Sequence, residues 1–157
     1  MKELALIKLE ERGVTVDDIA TIVLDLQRNY QDVTLEDCRA TVLSIISKSE
    51  TIYTILTGIA IDVAAEKGLL DTEINSLIAK DYGLYGLDEI LALSIVNMNG
   101  SIALTNFGYL DKTKPGIIGV IDKEGKSEAK CHTFLDDIIC AIASSAASRI
   151  AHRMEKK

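Results

Sequence analysis

Apolar residues recur at helical spacing along almost the whole chain. In one representative stripe, Ile19, Ile22 and Leu26 fall on the same face of a helix. No stretch alternates for long with the period of two that marks a β-strand, and one proline and ten glycines leave few breaks between segments. With 157 residues, the chain has the length of one domain. The pattern therefore predicts an all-α, single-domain bundle of six or seven helices over residues 1–157.

Threonine–aspartate pairs mark the starts of the first two predicted helices. Thr15 stands three residues before Asp18, and Thr34 stands three residues before Asp37. This is the spacing of a capping box, in which the two side chains satisfy each other's backbone N–H groups. We therefore predict two amphipathic helices within the first fifty residues, and their apolar faces could form a homo-oligomer contact through residues 1–50.

The third predicted helix is the most apolar. It begins at Ser49 and ends before Gly68, and residues 52–61 are apolar nearly all round. We expect this helix to lie at the centre of the bundle. The final helix is predicted to begin with Thr133 as its N-cap and to end near Arg153.

An uncharged segment of 21 residues, Ile90–Leu110, is long enough to span a membrane. It contains polar residues that are costly in hydrocarbon, among them Asn97 and Thr105. We interpret the segment as buried helix with a break at Asn99–Gly100, and we predict no membrane-spanning segment.

Two connecting segments follow. Residues 111–116 hold the only proline and are predicted to form a turn. Residues 119–130 are charged and small, so they are predicted to be a surface loop, with at most one helical turn before it.

The charge balance excludes several classes of partner. The chain has 17 basic and 24 acidic residues, which give a net charge of −7. Nucleic acids attract proteins with a clustered basic face, so we expect no nucleic-acid partner. The three cysteines, Cys38, Cys131 and Cys140, are widely spaced and odd in number, which does not fit a disulfide framework. We therefore expect a cytoplasmic protein, which could also bind peripherally to a membrane.

Ionisable groups next to apolar segments are the informative candidates for chemistry, because an unpaired buried charge is costly. The candidates are Asp62, Asp88, Glu89, Asp111, His132, Asp136 and Asp137. Each also has a structural interpretation, as a helix cap, a first-turn acid, a buried ion pair or a loop histidine. Together, however, six carboxylates with few basic neighbours would repel one another, and a shared divalent cation removes that repulsion. Ligands that are all oxygen favour Mg²⁺ or Mn²⁺ over zinc.

Sequence motifs of several other enzymes are absent. The chain has no Walker A loop, no Gly-x-Gly-x-x-Gly, no Gly-x-Ser-x-Gly and no Asp-x-Asp. Cys131 is not followed six residues later by the arginine of a cysteine phosphatase. The acidic residues therefore favour metal-dependent chemistry.

Four short segments are each weak as motifs, but their order along the chain is fairly specific. They are Asp88-Glu89-Ile90, Phe107–Pro115 with its Leu-Asp-x-x-Lys-Pro, Asp136-Asp137-Ile138-Ile139 and Arg149–Arg153. In this order they resemble the phosphatidylglycerophosphatase A family, and more closely its soluble firmicute-type branch. The resemblance covers roughly residues 51–153, so the two helices predicted within residues 1–50 lie outside it.

The resemblance implies an Mg²⁺-dependent phosphatase that removes the terminal phosphate of phosphatidylglycerol phosphate. It also implies an all-α fold in which one central helix is ringed by others. The metal ligands of such a site would be the five acidic residues of these segments: Asp88, Glu89, Asp111, Asp136 and Asp137. Asp62 is an additional candidate, Lys114 would bind the substrate phosphate, and His132 would protonate the leaving alkoxide. The expected partner is a phosphorylated small molecule or a phospholipid head group.

Two other functions are compatible with the same residues. An all-α nucleoside polyphosphate pyrophosphohydrolase would use carboxylates and Mg²⁺ on a soluble nucleotide, although its Glu-x-x-Glu and Glu-x-x-Asp pairs are not found at the acidic sites. A protein that kept the bundle without activity would serve as an interaction module. Metal-dependent phosphatase assays on lipid and soluble phosphates separate the three functions.

Overall fold

The computed structural model describes residues 1–127 and 129–154, which form helices and connecting turns without a strand. The helices of these residues are α1 (Lys2–Glu11), α2 (Val16–Gln27), α3 (Leu35–Ile46), α4 (Ser49–Glu66), α5 (Thr72–Ala79), α6 (Leu87–Val96), α7 (Gly100–Thr113), α8 (Ile117–Gly125) and α9 (Leu135–Met154). The prediction of an all-α single domain is confirmed. The predicted number of six or seven helices is too low, since the described residues form nine.

The first fifty residues contain one helix more than predicted, because α1 precedes the helix that begins after Thr15. The uncharged segment is divided at Asn99–Gly100, as predicted, and Gly100 has a positive φ of 82°. Glycine adopts this conformation readily, which explains how the chain can end α6 and start α7 within a few residues. No helix of the described residues is long and apolar enough to cross a membrane.

The segment between the uncharged stretch and the final helix is more helical than predicted. α7 continues to Thr113, so Asp111 lies in a helix rather than in a turn. α8 occupies much of the predicted surface loop 119–130, and it buries Ile118 and Ile121 on one face. The loop prediction was therefore wrong, because a single buried face of two isoleucines is a weak signal among charged neighbours.

The centre of the bundle is α9. Its residues 135–148 are buried, and it packs against α2, α3, α4, α6, α7 and α8. The expectation that the helix beginning at Ser49 is central is therefore wrong. Two of the three buried hydroxyls of α9 find backbone acceptors: Ser144 Oγ donates to Ala141 C=O at 3.1 Å, and Ser148 Oγ donates to Asn99 C=O at 2.6 Å. Ser145 Oγ is buried without a partner among the described residues. Because α9 is rich in alanine and serine, it can approach its neighbours closely but appears only weakly apolar in the sequence.

Both predicted capping boxes are present. Asp18 N–H donates to Thr15 Oγ1 at 3.2 Å, and Thr15 N–H donates to Asp18 Oδ2 at 2.8 Å. The pair Thr34 and Asp37 makes the same two bonds at 3.1 Å and 2.9 Å. These local signals therefore located the starts of α2 and α3 correctly.

The start of α9 is capped from another helix. Asp62 of α4 accepts Phe134 N–H and Leu135 N–H, each at 3.0 Å. Thr133, the predicted cap, instead donates its hydroxyl to Ile78 C=O at 2.6 Å. The N-cap prediction for Thr133 is therefore wrong, because a buried carboxylate from outside the segment satisfies the free N–H groups.

A glycine explains how α4 comes close enough to provide this cap. Gly58 lies four residues before Asp62, so both residues are on one face of α4. A Cβ atom at Gly58 would collide with the side chain of Ile138 on α9. The missing side chain therefore permits the close contact that lets Asp62 reach the first amides of α9.

Candidate metal site

Two helix starts that are far apart in the sequence meet in the fold. α6 carries Asp88 and Glu89 in its first turn, and α9 carries Asp137 in its first turn. One carboxylate oxygen from each of these residues lies within 4.8 Å of the other two. The packing of α6 on α9 thus brings three of the predicted ligands together, and we call these three residues the acidic cluster.

Two carboxylate oxygens of the acidic cluster have no hydrogen-bond donor among the described residues. Asp88 is 6% exposed and Asp137 is 3% exposed. Asp88 Oδ1 and Glu89 Oε2 are buried, and no donor among the described residues reaches them. Buried oxygens without donors are costly, and carboxylates at this distance repel one another. A divalent cation held by the three carboxylates would remove both costs, so these residues fit such an ion.

The pKa values in the acidic cluster show the same repulsion. Burial, followed by the charges of Asp136, Asp111 and Asp88, raises the pKa of Asp137 well above its usual range. Burial and the adjacent Glu89 raise the pKa of Asp88. Desolvation and like charges both disfavour the ionised form. The chain alone therefore relieves the repulsion by taking up protons, and a bound cation would favour the ionised carboxylates instead.

Lys114 holds the other two predicted ligands. Its Nζ donates to Asp111 Oδ1 at 2.8 Å and to Asp136 Oδ2 at 2.7 Å. Asp136 Oδ1 accepts the N–H of Asp137 at 2.9 Å, so both oxygens of Asp136 are already bonded. Burial lowers the pKa of Lys114, but the charges of Asp136 and Asp111 outweigh burial and raise it. A permanently charged ammonium group is therefore fixed beside the acidic cluster.

His132 is bonded to Arg12. Its Nδ1 lies 3.0 Å from Arg12 Nη2, which also donates to Cys131 C=O at 2.7 Å. Because arginine cannot accept a hydrogen bond, Nδ1 is the acceptor and Nε2 carries the proton of the neutral ring. Burial, with the charges of Arg12 and Lys130, lowers the pKa of His132 to about 4. These contacts indicate a structural role for His132 at the start of α9.

Asp62 differs from the acidic cluster, although it is fully buried at 0% exposure. Its two oxygens accept the amides of Phe134 and Leu135. Burial raises the pKa of Asp62 to about 8, while the two amides favour the ionised form. Since both oxygens are occupied, the additional ligand role predicted for Asp62 does not fit its contacts.

Two acidic residues that the sequence did not single out lie near Asp136. Asp81 and Asp122 line a small cleft together with Asp136. Asp81 has a positive φ of 50°, and burial raises its pKa against the charges of Lys126 and Lys114. Both acids lie in charged segments that resemble exposed surface, and only the helical character of α8 would have indicated that Asp122 faces α9.

The fold and the acidic cluster define an all-α protein with buried carboxylates that are suited to a divalent cation. The family model of phosphatidylglycerophosphatase A matches residues 13–152, and the chain belongs to this family. The match includes most of residues 1–50, which lie outside the resemblance carried by the four motifs.

Relatives of high similarity support the same fold. The uncharacterized protein YutG of Bacillus subtilis (strain 168) is 47% identical over 154 residues, which are 98% of this chain and 92% of YutG. The low temperature requirement C protein of Listeria monocytogenes has a crystal structure with a TM-score of 0.94 and 50% identity, over 98% of this chain and 96% of that chain. A protein of unknown function from Bacillus stearothermophilus has a TM-score of 0.93 and 55% identity, over 98% and 94% of the two chains.

Proposed function

We propose that the protein is a divalent-cation-dependent phosphatase that hydrolyses a phosphomonoester. The observation that carries the proposal is the convergence of Asp88, Glu89 and Asp137, where two buried oxygens have no donor among the described residues. Membership of the phosphatidylglycerophosphatase A family supports this reaction class. It also indicates phosphatidylglycerol phosphate as the first substrate to test.

The proposed metal ligands are the three residues of the acidic cluster, and the proposed ion is Mg²⁺, since hard cations prefer oxygen ligands. When bound, such an ion polarises phosphoryl oxygens and lowers the pKa of a coordinated water. Asp111 and Asp136 have a different role in this proposal. They hold Lys114 in place, because one carboxylate oxygen of each accepts a hydrogen bond from its ammonium group.

Lys114 is proposed to bind the phosphoryl group of the substrate. Its ammonium group has three N–H donors, and the bonds to Asp111 and Asp136 use two of them. The third donor has no acceptor among the described residues, and in this proposal it binds a phosphoryl oxygen. A cation held in advance by two carboxylates stabilises developing negative charge without reorganisation during the reaction.

His132 is left out of the proposed catalytic set. Its ring is 2% exposed and its Nδ1 accepts from Arg12. A neutral, buried imidazole with this partner is poorly placed to protonate a leaving alkoxide. The proposal therefore does not keep the predicted role of His132 as the group that protonates the leaving alkoxide.

Phosphate release tests the proposal directly. The purified chain should hydrolyse phosphatidylglycerol phosphate, or a soluble phosphomonoester, with Mg²⁺ present and not after chelation. Asp137→Asn should abolish that activity, while Lys123→Gln, an exposed change on α8, should not affect it. If the wild type releases phosphate from no lipid or soluble phosphomonoester with either Mg²⁺ or Mn²⁺, the interaction-module function replaces this proposal.

A further inference from the structure

A second polar site lies towards the other end of α9. A cavity of about 410 Å³ opens where the start of α4, the α6–α7 connection and the end of α9 meet. Its polar side chains are those of Lys48, Asn99, Arg149, His152 and Arg153, and no acidic residue of the described chain lines it. We call it the basic cavity. In a chain with 24 acidic and 17 basic residues, three cationic side chains around one cavity are a marked local reversal of charge.

The helix ends explain only part of this arrangement. Basic residues in the last turns of α9 are favourable, because a helix carries partial negative charge at its C-terminus. Lys48 does not fit that explanation, since it is the N-cap residue of α4, where the partial charge is positive. Lys48 therefore brings a third positive charge, from outside α9, to the cavity that Arg149 and Arg153 also line.

The arginines of the basic cavity are bonded to neutral partners. Arg149 Nη1 donates to Ser44 Oγ at 2.6 Å, and Arg153 Nη1 lies 3.3 Å from Thr41 Oγ1. Within residues 1–127 and 129–154, neither arginine forms an ion pair with a carboxylate. The pKa of Asp37 is lowered mainly by its hydrogen bonds with Thr34, and the charge of Arg153 makes a smaller contribution. The positive charge of the basic cavity is therefore largely uncompensated by the described chain.

We propose that the basic cavity binds an anion that carries a phosphoryl group. Two guanidinium groups and an ammonium group suit a phosphoryl group, which arginine can bind through two parallel N–H donors. A phosphoryl group carries a charge of about −1.5 to −2, which matches several cations better than one carboxylate does. The cavity volume of about 410 Å³ leaves room for more than the phosphoryl group itself.

The basic cavity is separate from the candidate metal site. Arg149 follows Asp137 by twelve positions on α9, which corresponds to roughly 18 Å along the helix axis. The proposal therefore does not depend on the phosphatase function, and it can be tested without metal. In the presence of a chelator, the acidic cluster should repel phosphate.

The test is a titration of the whole chain in a chelating buffer with two sources of phosphoryl groups. One arm adds inorganic phosphate or pyrophosphate and measures heat or amide chemical shifts. The other arm measures sedimentation with phosphatidylcholine vesicles with and without phosphatidic acid, whose phosphomonoester is exposed. We expect saturable binding in at least one arm, weakened at least fivefold by Arg149→Gln and by Lys48→Gln, and weakened by added salt.

Lys67→Gln is the matched control, because it removes the same charge from the opposite end of α4 and lies outside the cavity. It should leave binding unchanged. Binding of soluble phosphate alone identifies a free phosphorylated ligand, whereas binding only to vesicles with phosphatidic acid identifies a lipid head group. Absence of saturable binding in both arms, or equal binding by wild type and all variants, overturns the proposal. Should Arg149→Gln fail to fold, Lys48→Gln and the exposed Arg153→Gln decide the outcome.

Discussion

Two sets of buried carboxylates lie near the start of α9, and the chain surrounds them in opposite ways. Asp62 is completely buried, and its oxygens accept the amides of Phe134 and Leu135. Asp137 is almost as buried, yet it lies against Asp88 and Glu89, two of whose oxygens have no donor in the described chain. Burial alone therefore does not distinguish a structural carboxylate from a candidate metal ligand. The two are distinguished by whether hydrogen-bond donors reach the carboxylate oxygens.

The largest effect that would sharpen this comparison is expected from Asp137→Asn. If the acidic cluster holds the catalytic ion, the variant should lose at least a hundredfold in kcat/KM, or about 2.7 kcal/mol or more of transition-state stabilisation. Steady-state phosphate release measures this loss. In chelator, the melting temperature of the variant should equal or exceed that of the wild type, because asparagine is neutral and needs no proton to relieve the repulsion.

Magnesium provides the matching control for that variant. Millimolar Mg²⁺ should raise the melting temperature of the wild type, because an ion at a hundred times its Kd adds about 2.7 kcal/mol to the free energy of unfolding. Asp137→Asn should not respond, whereas Asp62→Asn should respond as the wild type does. An unchanged melting temperature of the wild type over this range would contradict the assignment of a shared cation.

The second effect concerns Asp62. Asp62→Ala should lower the free energy of unfolding by about 3 kcal/mol, because two buried amides at the start of α9 lose their acceptors. Chemical denaturation measures the change. Asp18→Ala removes the acid of a capping box at the protein surface and should cost only about 1 kcal/mol. Equal costs for the two variants would show that the buried cap is no more important than an ordinary exposed one.

The third effect is a pH dependence on the Asp62 side of α9. The pKa of His132 is lowered to about 4 in the fold, from an ordinary value of 6.5. Between these values His132 binds a proton in the unfolded chain but not in the folded chain, so this residue lowers the stability as the pH falls from 6.5 towards 4. Its contribution should be about 2 kcal/mol between pH 6.5 and pH 4.5, and the raised pKa values of Asp62 and Asp88 act in the opposite direction.

His132→Asn tests the origin of that pH dependence. Asparagine keeps a side-chain acceptor for Arg12 but does not titrate, so the variant should become more stable relative to the wild type, by about 2 kcal/mol, as the pH falls through this interval. Denaturant titrations at several pH values give the slope of stability against pH. A slope equal to that of the wild type would assign the pH dependence to other groups.

The smallest effect is expected from Lys114, which connects the acidic cluster to Asp111 and Asp136. Lys114→Ala should lower kcat/KM about tenfold, or about 1.4 kcal/mol, because one charged donor to the phosphoryl group is lost. Some loss of stability should accompany it, since two carboxylates lose their partner. Lys112→Ala, an exposed change two residues away, is the matched control, and equal losses in both variants would assign the effect to general electrostatics.

Local signals in the sequence predicted several elements correctly. The capping boxes at Thr15 and Thr34 place both partners of each hydrogen bond within four residues, so the sequence alone identifies them. The break at Asn99–Gly100 is likewise local, because glycine alone permits its conformation at little cost. The candidate acids were found in the same way, from apolar neighbours in sequence.

The tertiary structure decided which of these acids lie in contact with one another and which accept hydrogen bonds from other helices. Asp62 and Asp137 look alike in the sequence, since each interrupts an apolar run. The donors that distinguish them come from outside their own segments: the amides at the start of α9 reach Asp62, and Lys114 at the end of α7 reaches Asp136. The sequence by itself determined helical periodicity, local caps and the positions of isolated charges. Which helix is central, and where each charge finds its partner, depends on helix packing between residues that are distant along the chain.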